Sequence, residues 1–326
     1  MLKLERLEVD RVDWPTLDAF PDRLLFQTRE WLDFVQRTQD AEPVVAAIRD
    51  DDGSVVGYFT GLIVRRFGLR IHGSPFPGWT TSYMGFNLDD GADRTEAAEA
   101  LVPFAFRQLG CLHLELKDRF LQTEDLERRG FEQSPSRTFE VDLRPPEEEL
   151  FGRMTSACRR AIRKSEKEGV VVEEASGEEF ADEYYAQLEE VFARQSAVPT
   201  YDVSRVRELI RAIHPTGRLL LLRARSADGK AIASGIFPAL STTAYFWGGA
   251  SWREHQILRP NEAIFWYAMR TWKARGVSVL DMGGGGDYKR KYGPVELNVP
   301  HFRKSRLPVL GTLRELARRK NAPPGG

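Results

Sequence analysis

At 326 residues, 42% hydrophobic and 29% charged, the chain has the composition of a soluble globular protein and is longer than one hydrophobic core usually supports. Its formal net charge of −1 excludes a global field pulling it toward nucleic acid or anionic lipid, so no DNA partner is expected. The two cysteines, Cys111 and Cys158, show no CxxC spacing, and with only five histidines this argues against a disulfide framework and a metal site.

The N-terminus, MLKLERLEVDRVDW, is charged at almost every other position and has no apolar centre, so it does not read as a signal peptide, and a reducing cytoplasm is the expected compartment. The segment PVVAAIRDDDGSVVGYFTGLIVRR, from Pro43, is two β-prone runs about an Asp-Asp-Gly turn, which predicts a hairpin. A third run, LRIHGSPF, follows, then a helical spacing from Thr95 to Leu109, then Gly110 and the short strand CLHLEL. The second half repeats this order. A hairpin turns at Asp228-Gly229, TTAYFWGGAS makes a third strand, Asn261 to Arg275 makes a helix, and Gly276 precedes VSVLDM. Laying Gly110 on Gly276 pairs Leu114 with Leu280 and Glu115 with Asp281. Pro145 and Pro146 suggest a junction near 144, giving domains 1–143 and 144–306. From Arg303 to Lys320 seven Lys or Arg face one Glu, so residues 307–326 are expected to form a basic helix and loose tail.

Two segments carry candidate chemistry. Between Met154 and Gly169, one helical stripe is apolar while Arg160, Lys164 and Lys167 share another, a one-signed face that suits a phosphate-bearing substrate or a solvated surface equally well. Further on, VLDMGGGGDYKRKYG sets Gly283 to Gly286 directly after a buried-looking strand. Such a run frees backbone N–H groups and allows positive φ, and the cationic cluster beginning at Lys289 follows it. The loop could hold an anion or a developing oxyanion. It is neither a Walker loop nor a dinucleotide fingerprint.

The segments FQTREWLDF, SACRRAIRKSEKEGV, LRPNEAIFWYAMRTWKARGVSVLDMGG and DYKRKYG together resemble the Fem family of peptidyl transferases over most of residues 26 to 304. The resemblance implies an α/β protein with mixed sheets, two tandem GNAT-like acyltransferase domains, and transfer from aminoacyl-tRNA to an amine of a peptidoglycan precursor. Tyr288-Lys289 followed by Tyr292-Gly293 is similar to the family's F-K-x-x-F-G element, which makes Lys289 the first catalytic candidate. Arg194 and Tyr201, in VFARQSAVPTYD, fall in the family's substrate-facing segment. No heptad run marks the helical arm some relatives insert, and the coenzyme A loop R/Q-x-x-G-x-G/A is missing from both halves.

No Ser-His-Asp or Cys-His order is evident, so direct transfer without an acyl-enzyme and without a bound cofactor is expected. Lys289 and the N–H groups of Gly284 and Gly285 would face the developing charge, with Tyr288 beside them. Asp281 or Asp287 would accept a proton or position the amine, although Asp281 could equally cap the glycine turn. Arg160, Arg163 and Lys164 would contact phosphate. Two readings compete with the aminoacyl one. One is an acyl-CoA-dependent N-acyltransferase acting on a small amine, sugar or polysaccharide component; the other is a non-catalytic protein attached to membrane or RNA by its basic C-terminal segment.

Overall fold

The computed structural model describes residues 1–66, 68–121 and 124–307. The basic helix and tail expected from 307 onward lie, apart from Leu307, outside the described residues. The chain forms two compact units: Met1–Ser136 with the segment from Val299, and Arg137–Asn298.

The first unit contains strands β1 (Lys3–Leu7), β2 (Glu42–Arg49), β3 (Val55–Arg66), β4 (Leu69–Ser74), β5 (Gly85–Leu88), β6 (His113–Leu116) and β7 (Glu132–Ser134), and β16 (His301–Ser305) from the chain's end. Its helices are α1 (Trp14–Asp18), α2 (Arg29–Gln39), α3 (Arg94–Pro103) and α4 (Glu124–Glu127). The strand order is β1-β2-β3-β4-β6-β16-β7, with β5 added on β3. The predicted hairpin is the β2–β3 pair, and its residues from Pro43 to Ile48 are all buried. Helix α3 starts where Asp93 accepts the N–H groups of Thr95 and Glu96, and it buries Ala97, Ala98 and Leu101. Each large apolar side chain so buried contributes roughly 1.5–3 kcal/mol before the entropy of ordering the chain is counted. The chain then turns at Gly110, φ +67°, into β6, which runs parallel to β4.

The second unit runs β8 (Arg137–Asp142), α5 (Glu147–Arg153), α6 (Ser156–Lys167), β9 (Val171–Ala175), α7 (Glu179–Ala193), α8 (Val203–Ile213), β10 (Leu219–Arg225), β11 (Ala231–Leu240), β12 (Thr243–Tyr245), β13 (Gly248–Ser251), α9 (Pro260–Ala274), β14 (Val279–Asp281) and β15 (Val295–Asn298). Its sheet order is β15-β8-β14-β12-β11-β10-β9, with β13 on β11. The repeat legible in the sequence is present: α9 ends at Gly276, φ +85°, and leads into β14, which runs parallel to β12. Both sheets are mixed, so the molecule is α/β of the expected kind.

The units divide elsewhere than at 143. Residues 137–142 are a strand hydrogen-bonded to both β14 and β15, which ties them to the second sheet. Pro146 is the N-cap of α5, so the double proline starts a helix inside a unit. The division near 306 shifts too, because Arg303 and Lys304, expected in the basic terminal segment, lie in β16 between β6 and β7 of the first sheet.

Candidate active site

One break in the second sheet creates the site. β11 pairs with β12 at Ala239 and Leu240 and with β13 from Ala233 to Ile236, but Phe246 and Trp247 between them leave the regular ladder. The Phe246 N–H donates to the Asp281 carbonyl at 2.8 Å, and the Trp247 N–H to that of Ile236 at 3.0 Å. Beyond this point β13 stays with β11 alone. A cavity of about 520 Å³ opens there, lined by residues of α7, β11, β13, α9 and the turn following the glycine run.

The cavity has an apolar wall of Val191, Phe246, Ala250, Ile264 and Phe265. Its cationic residues are Arg194, Arg259 and Lys291. Arg259 takes the left-handed conformation, φ +61°, immediately before Pro260 opens α9, so the helix's free N–H groups and positive dipole end lie at the cavity. Glu262, in the first turn of α9, is buried and pairs with Lys291 Nζ at 2.6 Å. Ser251 Oγ accepts from Asn261 Nδ2 at 3.1 Å.

The glycine run follows β14. Buried Asp281 accepts at Oδ1 from Thr138 Oγ1 at 2.5 Å and from the Gly283 N–H at 2.7 Å, so it caps the turn. Gly283 and Gly286 have φ of +71° and +78°. A Cβ on Gly284 would stand 2.1 Å from the Arg137 carbonyl oxygen, a contact that only glycine avoids. Among the described residues the N–H groups of Gly284 and Gly285 donate to nothing. Lys289 is 5% exposed, and its Nζ donates to the Gly283 carbonyl at 3.1 Å. Burial lowers its pKa to about 8, with nearby Asp281 opposing the shift and Arg137 adding to it. Its Nζ stands 5.8 and 5.9 Å from the ring centres of Phe246 and Tyr288, both of which line the cavity; Lys289 itself does not.

The structure therefore brings together Lys289, Asp281, Tyr288 and the glycine run, and of these only Tyr288 lines the cavity, as Arg194 does. Asp287 is exposed and paired with Arg137 at 3.1 Å and Arg290 at 3.6 Å, on the outer side of the turn. Arg160, Arg163 and Lys164 lie on α6 and do not line the cavity; among the described residues none has an ion pair, and Arg163 covers the Phe151 ring at 5.2 Å. Tyr201 belongs to an aromatic cluster beside it. Its hydroxyl meets that of Tyr184 at 2.8 Å, and Trp247 and Arg205 pack on its ring. Both cysteines are buried, and burial raises Cys158 to about 11, so neither is an available thiolate. Among the described residues no cluster of His, Cys, Asp and Glu is placed to hold a metal, and no helix is long and apolar enough to cross a membrane.

Residues 152–291 match the family described as the Acetyltransferase (GNAT) domain, a span that contains the glycine run and, apart from Tyr292, the residues lining the cavity. The crystal structure of FemX superposes with a TM-score of 0.77 at 15% identity, covering 95% of this chain and all of that one. The chain has a Fem-like tandem GNAT fold. A tandem GNAT protein from the clavulanic acid biosynthesis pathway gives a TM-score of 0.58 at 15% identity, over 94% of this chain and 99% of that one. L-PGS from Bacillus licheniformis gives 0.56 at 13%, over 89% and 95%. No curated protein matches the sequence. The second unit thus carries the span that matches the GNAT acetyltransferase domain, and the broken strand and α9 line its cavity.

Sequence reasoning missed Ser234, Ser251, Asn261, Glu262 and Arg259 as site residues. LRPNEAIFW carried the resemblance, yet a polar pair next to a proline reads from sequence alone as an ordinary helix start.

A second cavity, about 430 Å³, lies wholly in the first unit, lined by Pro75, Phe76, Ser82, Lys117, His301 and Arg303 among others. Behind it Glu115 is buried between two imidazoles, 3.5 Å from His113 Nε2 and 3.2 Å from His301 Nε2.

Proposed function

We propose that the protein forms an amide bond by transferring an aminoacyl group from aminoacyl-tRNA to an amine of a peptidoglycan precursor peptide. The observation that carries this reading is the glycine run beside the cavity. Two unclaimed peptide N–H groups, from Gly284 and Gly285, stand next to a buried lysine that is mostly cationic at neutral pH, an arrangement suited to a tetrahedral oxyanion. Lys289 sets the positive field of the turn through Gly283, and the N–H groups meet the developing charge. Asp281 holds the turn, which leaves the acceptor amine to lose its proton to solvent or to a group of the substrate.

Arg194, Arg259 and Lys291, together with the N-terminus of α9, suit the phosphates of a donor. Arg160, Arg163 and Lys164, outside the cavity, suit the more distant phosphates of a polynucleotide donor. The basic sequence beyond residue 307 suits a peripheral contact with an anionic membrane surface.

The match of 152–291 to a GNAT acetyltransferase domain favours a second reading, an acyl-CoA-dependent N-acyltransferase. Mass-spectrometric transfer assays separate the two. Purified protein receives charged tRNA or acyl-CoA with a peptidoglycan pentapeptide precursor. Product from charged tRNA that falls at least about 100-fold in Lys289→Ala, with the fold intact by circular dichroism, is the expected result. Product from acyl-CoA alone would replace the donor, and a fully active Lys289→Ala protein would remove Lys289 from the mechanism.

A further inference from the structure

Two residues lining the cavity of the second unit bury hydroxyls that nothing among the described residues satisfies. Ser234, on β11, is 1% exposed, and its Oγ has no hydrogen-bond partner; the Tyr292 hydroxyl, in a residue 1% exposed, is in the same state. The contrast with Ser251 in the same lining is direct, because its Oγ is engaged by Asn261. A buried polar group left unpaired costs about 1–3 kcal/mol, and native structures retain few of them. The same lining has an apolar part, Val191, Phe246, Ile264 and Phe265, and a charged part, Arg194, Arg259, Glu262 and Lys291. Burial, followed by the influence of Glu262, keeps the Tyr292 phenol well above its ordinary range, so it remains a neutral donor and acceptor.

A cavity with an apolar wall and two unsatisfied hydroxyls in its lining complements a short acyl chain that bears a hydrogen-bonding substituent. We infer that Ser234 and Tyr292 read such a substituent, so that the protein selects aminoacyl or hydroxyacyl groups over alkanoyl groups of equal size. This rests on the cavity being the acyl-donor site. Plain alkanoyl groups would leave both hydroxyls buried and unpaired, which is the arrangement that discriminates most strongly between isosteric substrates.

The test compares acyl pairs of equal size on both carriers: alanyl against isobutyryl on tRNA, and lactyl against isobutyryl on CoA. On whichever carrier supports transfer, the wild-type kcat/KM ratio should favour the polar member at least about tenfold, and Ser234→Ala and Tyr292→Phe should each bring it toward unity. Equal rates in the wild type, or an unchanged ratio in both variants, would overturn the inference while leaving the transfer reading in place. If neither carrier supports transfer, that reading fails, and calorimetric titration with alaninamide and isobutyramide decides the inference alone. Tighter binding of alaninamide that is lost in Ser234→Ala supports the inference, and equal or absent binding of both probes rejects it. Melting temperatures of the variants report whether they fold.

Discussion

Lys289 is a cation that the fold holds at a disadvantage. Its ammonium group is buried, its recorded hydrogen bond runs to the Gly283 carbonyl, and burial lowers its pKa from 10.5 to about 8. The sign of the linkage follows. Below about pH 8 both folded and unfolded chains carry the charge, and the folded chain bears the full penalty. Between about 8 and 10.5 the folded chain releases a proton that the unfolded chain keeps, so the penalty fades, and above 10.5 it is gone. Lys289→Met should therefore melt higher than the wild type at pH 7, with the difference shrinking as pH rises from 8 to 10.5. Thermal melts followed by circular dichroism across that range check this. A variant that melts lower at pH 7 would mean that the bond to Gly283 outweighs the burial of charge. That Lys289 closely follows a glycine run was legible in the sequence, three residues after Gly286. Its burial behind Phe246 and Tyr288 was not legible, since both rings read equally well as ordinary core or surface.

At the scale of elements, the glycine run is four identical letters with four different constraints. Gly283 and Gly286 need positive φ, Gly284 needs the absence of a Cβ, and Gly285 meets nothing within 4 Å. Gly284→Ala should therefore push the turn off β8, since the obstructing atom is the Arg137 backbone oxygen and cannot swing aside. The expected outcome is a loss of transfer of more than about tenfold with a small change in melting temperature, because a misplacement of about 1 Å has a large effect on rate. Gly285→Ala should lose far less, and equal losses at the two positions would show that flexibility of the run, not the close approach at 284, is what the turn requires. The run itself could be read from sequence; which of its glycines were indispensable could not, because that depends on a strand almost 150 residues away. The break at Phe246 and Trp247 was hidden for a related reason. From Ile232 to Ala239 every residue of β11 is buried, so the alternation that marks a one-sided strand is absent, and Ser234 passes for a small core residue.

At the scale of the molecule, the two halves each complete a sheet with a strand from outside their sequence repeat. β8 precedes the second repeat and lies between β14 and β15; β16 follows that repeat and lies between β6 and β7 of the first sheet. The sequence shows the repeat because both copies keep the order hairpin, strand, helix, glycine, strand. It does not show the exchange, because β8 and β16 are short strands whose partners are set by hydrogen bonding and not by pattern. The exchange makes the units unequal as independent folding pieces. Residues 137–298 hold every described strand of the second sheet and its hydrophobic core, from Phe139 to Tyr292. Residues 1–136 lack β16, whose Phe302 is fully buried in the first core against Phe131. Without it β6 loses its antiparallel neighbour, and β7 loses the strand that joins it to the sheet. The 137–298 fragment should therefore melt cooperatively by circular dichroism when produced alone, whereas 1–136 should not. A cooperative transition in 1–136 would mean that β16 decorates the first sheet without being required for it, and the division expected near 306 would then describe the folding units as well as the strand pairing does.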